Sequence, residues 1–225
     1  MEQRIPARLV AFGAALFLIF FFFPSRPGGC DPLDTPQELA VKLQARYEET
    51  RSMAADFQQV ASVPMSNRKR LGAGKVVILK PGRIRWDYTS PDRQVLISNG
   101  KKVFMYFAAS SQMIVQPVSE YINSDVTYSF FVGTGNIVRD FEVLPPERPA
   151  EGDLQVIKLV PKVAHPQVDS LHLWIDREYL LRRLEIVDHF GSVTELTFAD
   201  IRRNEAVAEE LFTFTPPAGT EVIEQ

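Results

Sequence analysis

The chain has 225 residues, 45% of them hydrophobic and 24% charged, with a formal net charge of −3 and a single cysteine. One cysteine excludes an internal disulfide. A mildly acidic chain also lacks the clustered Lys and Arg that a nucleic-acid surface rewards, so nucleic acid is not an expected partner.

Residues 1–30 read as a leader. Arg4 and Arg8 make a basic start, Leu9 to Phe23 run without a charge, and Pro24 ends the run. That run is short of the ~20 apolar residues a membrane span needs and suits a secretory signal. An uncleaved anchor is the alternative, because no A-x-A site follows. Pro27-Gly28-Gly29-Cys30 resembles a bacterial lipobox, although Pro27 stands where Leu is usual. Lipidation at Cys30 and an ordinary signal with a stray cysteine both stay open. Residues 31–225, about 195 of them, suit one well-buried domain.

Thr35-Pro36-Gln37-Glu38 is a helix start, with Thr35 as cap, Pro36 at the first helical position and Glu38 closing a capping box. Leu39, Leu43 and Tyr47 follow at four-residue spacing, which predicts an amphipathic helix to about Arg51 with one apolar stripe. The period then changes to two. Strands are expected over 54–63, 73–80 and 83–89, with a Pro81-Gly82 turn between the last two. Residues 94–98 and 101–107 flank Asn99-Gly100, a hairpin signal, and 112–118 continues the sheet.

Residues 119–140 lose the alternation and predict a short helix or two, ended by Gly133 and Gly135. Strands resume around Phe141–Val143 and Leu154–Val160, across a loop marked by Pro145, Pro146 and Pro149, then over 170–176, 180–188 and 192–201. The total is about ten or eleven antiparallel strands, and a sheet of that width curls to protect its edges. The amphipathic helix offers the stripe to cap it.

Motifs for catalysis fail on context. Gly72-Ala73-Gly74-Lys75 lacks phosphate-loop spacing and leads into a strand. Gly133-Thr134-Gly135 is followed by Val138 where a third glycine belongs. His165, His172 and His189 share no metal-ligand spacing, and His172 is expected to face solvent from its strand. No catalytic residue, metal or cofactor is therefore expected.

The aromatic set is more informative. Alternation puts Ile84, Trp86 and Tyr88 on one face of their strand and Arg83, Arg85 and Asp87 on the other. Val76, Ile78 and Lys80 share a face on the strand before; Val103, Met105 and Phe107 oppose Phe104 and Tyr106 on the hairpin. Ordinary core accounts for all of this except Lys80, since a cation ending an apolar face needs a partner.

An F-x-Q at Phe57 to Gln59, then Gly74 to Trp86 with Lys80-Pro81, Pro91-Asp92, Ile97-Ser98-Asn99-Gly100-Lys101, Tyr106 and Phe212 to Gly219, occur in that order. The series resembles the LolA family of periplasmic outer-membrane lipoprotein carriers. The resemblance implies a mainly β fold with some helix: a single strongly curved antiparallel sheet, a half-open barrel, under a helical lid. It implies a monomer that takes lipoprotein acyl chains from an inner-membrane ATP-binding-cassette release complex and hands them to an outer-membrane receptor. The expected cavity residues are Val76, Ile78, Ile84, Trp86, Tyr88, Phe104, Tyr106, Leu39 and Leu43. The family's lid-holding arginine falls at Lys80, which implies a weaker hold. A lipid-anchored LolB-like receptor and an RseB-like envelope-stress sensor are the alternatives; lipidated Cys30 would favour the first.

Overall fold

The computed structural model describes residues 33–64, 68–121, 131 and 135–225. The expected leader and Cys30 lie outside the described residues, as does Gly133. Helix α1 (Pro36–Glu49) opens the fold. Strands β1 (Ser52–Ser62), β2 (Lys69–Leu79), β3 (Arg83–Ser90), β4 (Gln94–Asn99), β5 (Lys102–Phe107) and β6 (Gln112–Pro117) follow. Short helices α2 (Val118–Tyr121) and α3 (Ile137–Asp140) precede β7 (Phe141–Leu144), β8 (Gln155–Pro161), β9 (Ser170–Ile175), β10 (Leu181–Val187) and β11 (Val193–Arg203). A 3-10 turn (Glu209–Phe212) and β12 (Glu221–Glu224) end the chain.

The twelve strands among the described residues lie in one sheet, in the order β12-β6-β5-β4-β3-β2-β1-β11-β10-β9-β8-β7. The sheet is curved and unclosed, with β7 and β12 at its edges. Two expectations need correction. The count is twelve, not ten or eleven, and the sheet is not wholly antiparallel, because β12 pairs parallel to β6. A four-residue edge strand, Glu221-Val222-Ile223-Glu224, has no period-two alternation and carries little local signal, and a parallel partner is set by the crossover rather than by a neighbouring turn.

The helix start behaves as its sequence predicts. The Thr35 hydroxyl accepts from the Glu38 N–H at 3.3 Å, and Glu38 Oε2 accepts from the Thr35 N–H at 2.9 Å. The stripe of Leu39, Ala40, Leu43 and Tyr47 is buried. Gln37 Nε2 donates to the Val143 carbonyl at 3.1 Å and Arg46 Nε to the Glu178 carbonyl at 2.8 Å, which ties the helix to β7 and to the β9–β10 turn.

The face under α1, the inner face, carries the main core. Register explains one glycine in it. Phe198, Phe57, Gly74 and Tyr88 are successive partners across β11, β1, β2 and β3. With no side chain at Gly74, the rings of Phe57 and Tyr88 meet above it at 4.8 Å between centroids. The backbone is equally close: a Cβ on Gly74 would lie 1.9 Å from the Asp87 carbonyl oxygen, beside the irregularity between Ala73 and Gly74.

The outer face is covered as well, which corrects a further expectation. His172 does not face solvent; it is 2% exposed. All six residues of β9 are buried. The loop between β7 and β8 lies over Trp174, whose Nε1 donates to the Pro149 carbonyl at 3.2 Å. Arg148 Nε donates to Glu185 at 2.8 Å, and His172 Nδ1 stands 3.2 Å from the same carboxylate oxygen. The Arg183 guanidinium stacks 3.6 Å over the Trp174 ring. Alternation alone placed His172 opposite Leu171 and Leu173 but gave no sign that a loop would cover that side.

Burial holds the His172 imidazole below its ordinary pKa of 6.5, with Glu185 pulling upward and Arg148 and Lys158 downward. The unfolded chain therefore takes up this proton first as pH falls. The stabilisation is complete above the unfolded value and is lost as pH falls through that value toward the folded one. Denaturant midpoints should drop between about pH 7.5 and about pH 5, and His172→Gln should flatten that drop. Gly74→Ala should cost about 2 kcal/mol or more, read from urea unfolding, because the clash is with backbone rather than a movable side chain.

Candidate functional site

The inner face is the candidate site, and strand alternation builds it. Val76 pairs with Trp86, Trp86 with Leu96, Leu96 with Met105, and Met105 with Ile114, one apolar row across β2 to β6. The next row runs Met53, Ile78, Ile84, Ser98 and Val103. Leu39, Leu43, Val76, Ile78 and Ile84 are fully buried there, with Trp86 and Tyr88 packed against them.

An aromatic group occupies the middle. Phe57 meets Trp86 edge-on at 4.7 Å, Trp86 meets Phe131 at 5.9 Å, and Phe131 meets Phe198 at 5.7 Å and Tyr47 of α1 at 6.3 Å. Edge-to-face rings of this kind attract beyond their area burial. The F-x-Q motif acquires a physical role here: Phe57 packs on Trp86 and Tyr88, and two residues on, Gln59 Oε1 accepts from the Tyr88 hydroxyl at 2.7 Å. Phe131, central to the group, falls in the stretch expected to form a short helix or two and is not among the expected cavity residues.

Lys80 has the partner its position demands. Its ammonium donates to the Tyr47 carbonyl in the last turn of α1 and stands 5.7 Å from the Tyr47 ring centre. A cation at a helix C-terminus meets both free carbonyls and the negative end of the helix dipole. Burial holds the Lys80 pKa below its ordinary value, while nearby Glu48 opposes that shift. The same cation that ends the apolar face of β2 therefore pins the covering helix.

Phe104 and Tyr106 are not on this face, contrary to expectation. Phe104 pairs with Ile97 and Val115, and Tyr106 with Val95 and Met113, all on the outer side. The C-terminal segment covers them: Phe212 is buried among these residues, and Phe214 lies 5.2 Å from the Tyr106 ring. The outer-face arginines of β3 hold that segment. Arg83 Nη1 donates to Glu209 at 2.9 Å, and Arg85 Nη1 to the Leu211 carbonyl at 2.9 Å. Phe212 and Phe214 in the sequence were the available signal that the second aromatic face has its own cover.

Gly72 to Lys75 lies inside β2 and is no phosphate loop. Among the described residues, no group of three or more His, Cys, Asp or Glu side chains could hold a metal ion.

Comparison with known proteins places this geometry in a family. The family model for outer membrane lipoprotein carrier protein LolA matches residues 48–215. The outer-membrane lipoprotein carrier protein of Methylobacillus flagellatus is 32% identical over 80% of this chain and 86% of its own. The carrier protein of the same name from Nitrosospira multiformis is 28% identical over 81% of this chain and 87% of its own. A solved structure of an uncharacterized conserved protein from Thermus thermophilus superposes with a TM-score of 0.54 at 14% identity, covering 85% of this chain and all of that one, a likeness of fold alone. The matched span runs from the end of the covering helix through every strand of the inner face, and the chain belongs to the LolA family of outer membrane lipoprotein carrier proteins.

Proposed function

We propose that the protein is a periplasmic carrier that shelters the acyl chains of lipoproteins on the inner face of its sheet and moves them from the inner to the outer membrane. The main support is a continuous apolar face, from Ile78 and Ile84 through Val76 and Trp86 to Tyr88, covered by one short helix. The names of the relatives agree with this assignment.

Magnitudes favour exchange between cover and cargo. Burying the stripe side chains Leu39, Leu43 and Tyr47 is worth about 6 kcal/mol, at roughly 2 kcal/mol each. A roughly 16-carbon acyl chain is worth about 12 kcal/mol when buried, at about 0.8 kcal/mol per methylene. One chain therefore outweighs the helix stripe, and a guest can displace the cover without unfolding the sheet. The same arithmetic makes leaving a bilayer costly. The protein would receive its cargo from an inner-membrane ATP-binding-cassette release complex and deliver it to an outer-membrane receptor that binds the chains more tightly.

In this role Lys80 acts as the latch, through the Tyr47 carbonyl. An arginine would offer a planar fork of donors in place of a point charge. Lys80→Arg should slow release of a bound diacyl lipopeptide several-fold, measured by transfer to acceptor vesicles; an unchanged rate would remove the latch. Trp86 supplies a direct reporter, since the chain's other tryptophan, Trp174, is on the outer face. In a Trp174→Phe background, titration with a palmitoylated lipopeptide should change Trp86 emission and saturate. Flat emission together with no co-purified acylated protein by mass spectrometry would end the carrier proposal. A thioether diacylglycerol found on Cys30 in the same spectra would favour the anchored receptor instead.

A further inference from the structure

We propose that the end of the sheet formed by the β8–β9 and β10–β11 connections and the adjoining ends of β1 and β2 docks on an anionic lipid surface. This end is remote from the Lys80 latch: antiparallel order puts it opposite the β2–β3 turn. Its described parts adjoin. Ser62 pairs with Val193 across β1 and β11, and a Cβ on Gly191 would lie 3.5 Å from Pro64. The ring of His189 is 2.8 Å from the His165 carbonyl, and the Asp169 N–H donates to the Val187 carbonyl at 2.8 Å.

Large apolar side chains concentrate here. Phe190 is 88% exposed and Val163 83%, with Val63 and Leu71 also exposed. Val138 of α3 is exposed beside them, and its carbonyl accepts from Lys162 Nζ. These five are among nine exposed large apolar residues in the described part of the chain, so the clustering is not the usual scatter of single residues. Val63, Val163 and Phe190 sit on connections, Leu71 near the start of β2 and Val138 on α3, separate protrusions rather than one groove. A folded partner would need a complementary surface for each tip, whereas a fluid interface accepts protruding apolar side chains directly.

Charge names the kind of interface. Arg68, Lys69, Arg70 and Lys162 surround the tips. The carboxylates at this end are already engaged: Asp188 Oδ1 accepts from the Phe190 and Ser192 N–H groups of its own turn, and Asp169 stands 3.7 Å from His189 Nδ1. Asp92 and Arg93 in the β3–β4 turn cancel. With Arg139 and Asp140 of α3, which pair with each other beside Lys162, the rim carries five cations against three carboxylates; on a chain of net charge −3 this matches a surface of lipid phosphates, which attracts each nearby Lys or Arg. The inference does not depend on acyl-chain binding at the inner face, and the two fail separately: a rim variant can lose the surface while Trp86 still reports the lipopeptide.

The test is flotation of the full chain with vesicles of phosphatidylcholine alone or mixed with phosphatidylglycerol, at low and high salt. The comparison is between wild type, Lys69→Glu with Arg70→Glu, Phe190→Ser, and Lys101→Glu on the hairpin at the opposite end. Near-UV circular dichroism confirms that each is folded. The expected result is at least about tenfold tighter partitioning of the wild type to the anionic vesicles, weakened by salt. The double charge reversal should remove that preference, Phe190→Ser should weaken binding several-fold, and Lys101→Glu should match wild type. Rim variants that float as the wild type does, or a wild type indifferent to phosphatidylglycerol, would overturn the proposal.

Discussion

An apolar sheet face open to water is the constraint on which the rest of this structure depends. The inner face joins residues of β1, β2, β3, β5 and β8 to β11 in one cluster, and α1 is its principal cover. From β7 to β2 there are six strand spacings, about 29 Å along a flat sheet, while the ten residues from Gln37 to Tyr47 rise about 15 Å. The helix acts as a chord across a curved sheet. Polar ties hold it along its length, from Gln37 at Val143 through Lys42 at Tyr179 and Gln44 at Ile137 to Arg46 at Glu178 and Lys80 at Tyr47, while its stripe rests on hydrocarbon.

The two kinds of contact differ in character. Apolar contacts are non-directional and can be replaced by any other hydrocarbon of similar area. The polar ties are directional and specific. Phe131 extends the same logic: its ring fits between Trp86, Phe198 and Tyr47, bridging sheet and helix.

The outer face is closed by different means, and the contrast separates scaffold from site. Under the β7–β8 loop, indole, guanidinium, imidazole and carboxylate groups pack together, with Arg148 and Glu185 paired and Trp174 bonded to Pro149. Under the C-terminal segment, Arg83 and Arg85 reach across to Glu209 and Leu211, and β12 adds itself to the free side of β6. These contacts are directional and specific, as expected of parts that stay in place. The β12 pairing also occupies an edge that would otherwise offer unpaired backbone groups to another chain.

The sequence by itself determined what short-range physics controls. The capping box fixed where α1 begins, the four-residue stripe fixed which side it buries, and period-two alternation separated Ile84, Trp86 and Tyr88 from Arg83, Arg85 and Asp87. The ordered motif series from Phe57 to Gly219 carried the family resemblance. Only the tertiary structure decided what depends on long-range meetings. Alternation defines two faces of β5 but not which of them lies under the helix, so Phe104 and Tyr106 needed the C-terminal aromatics to show their side. His172 needed a loop more than twenty residues upstream to become buried. β12 needed β6, over a hundred residues away, to be a strand at all. Helix caps and strand alternation act between neighbours in the chain, whereas the cover on each face of a sheet is chosen by loops whose length and path no local period encodes.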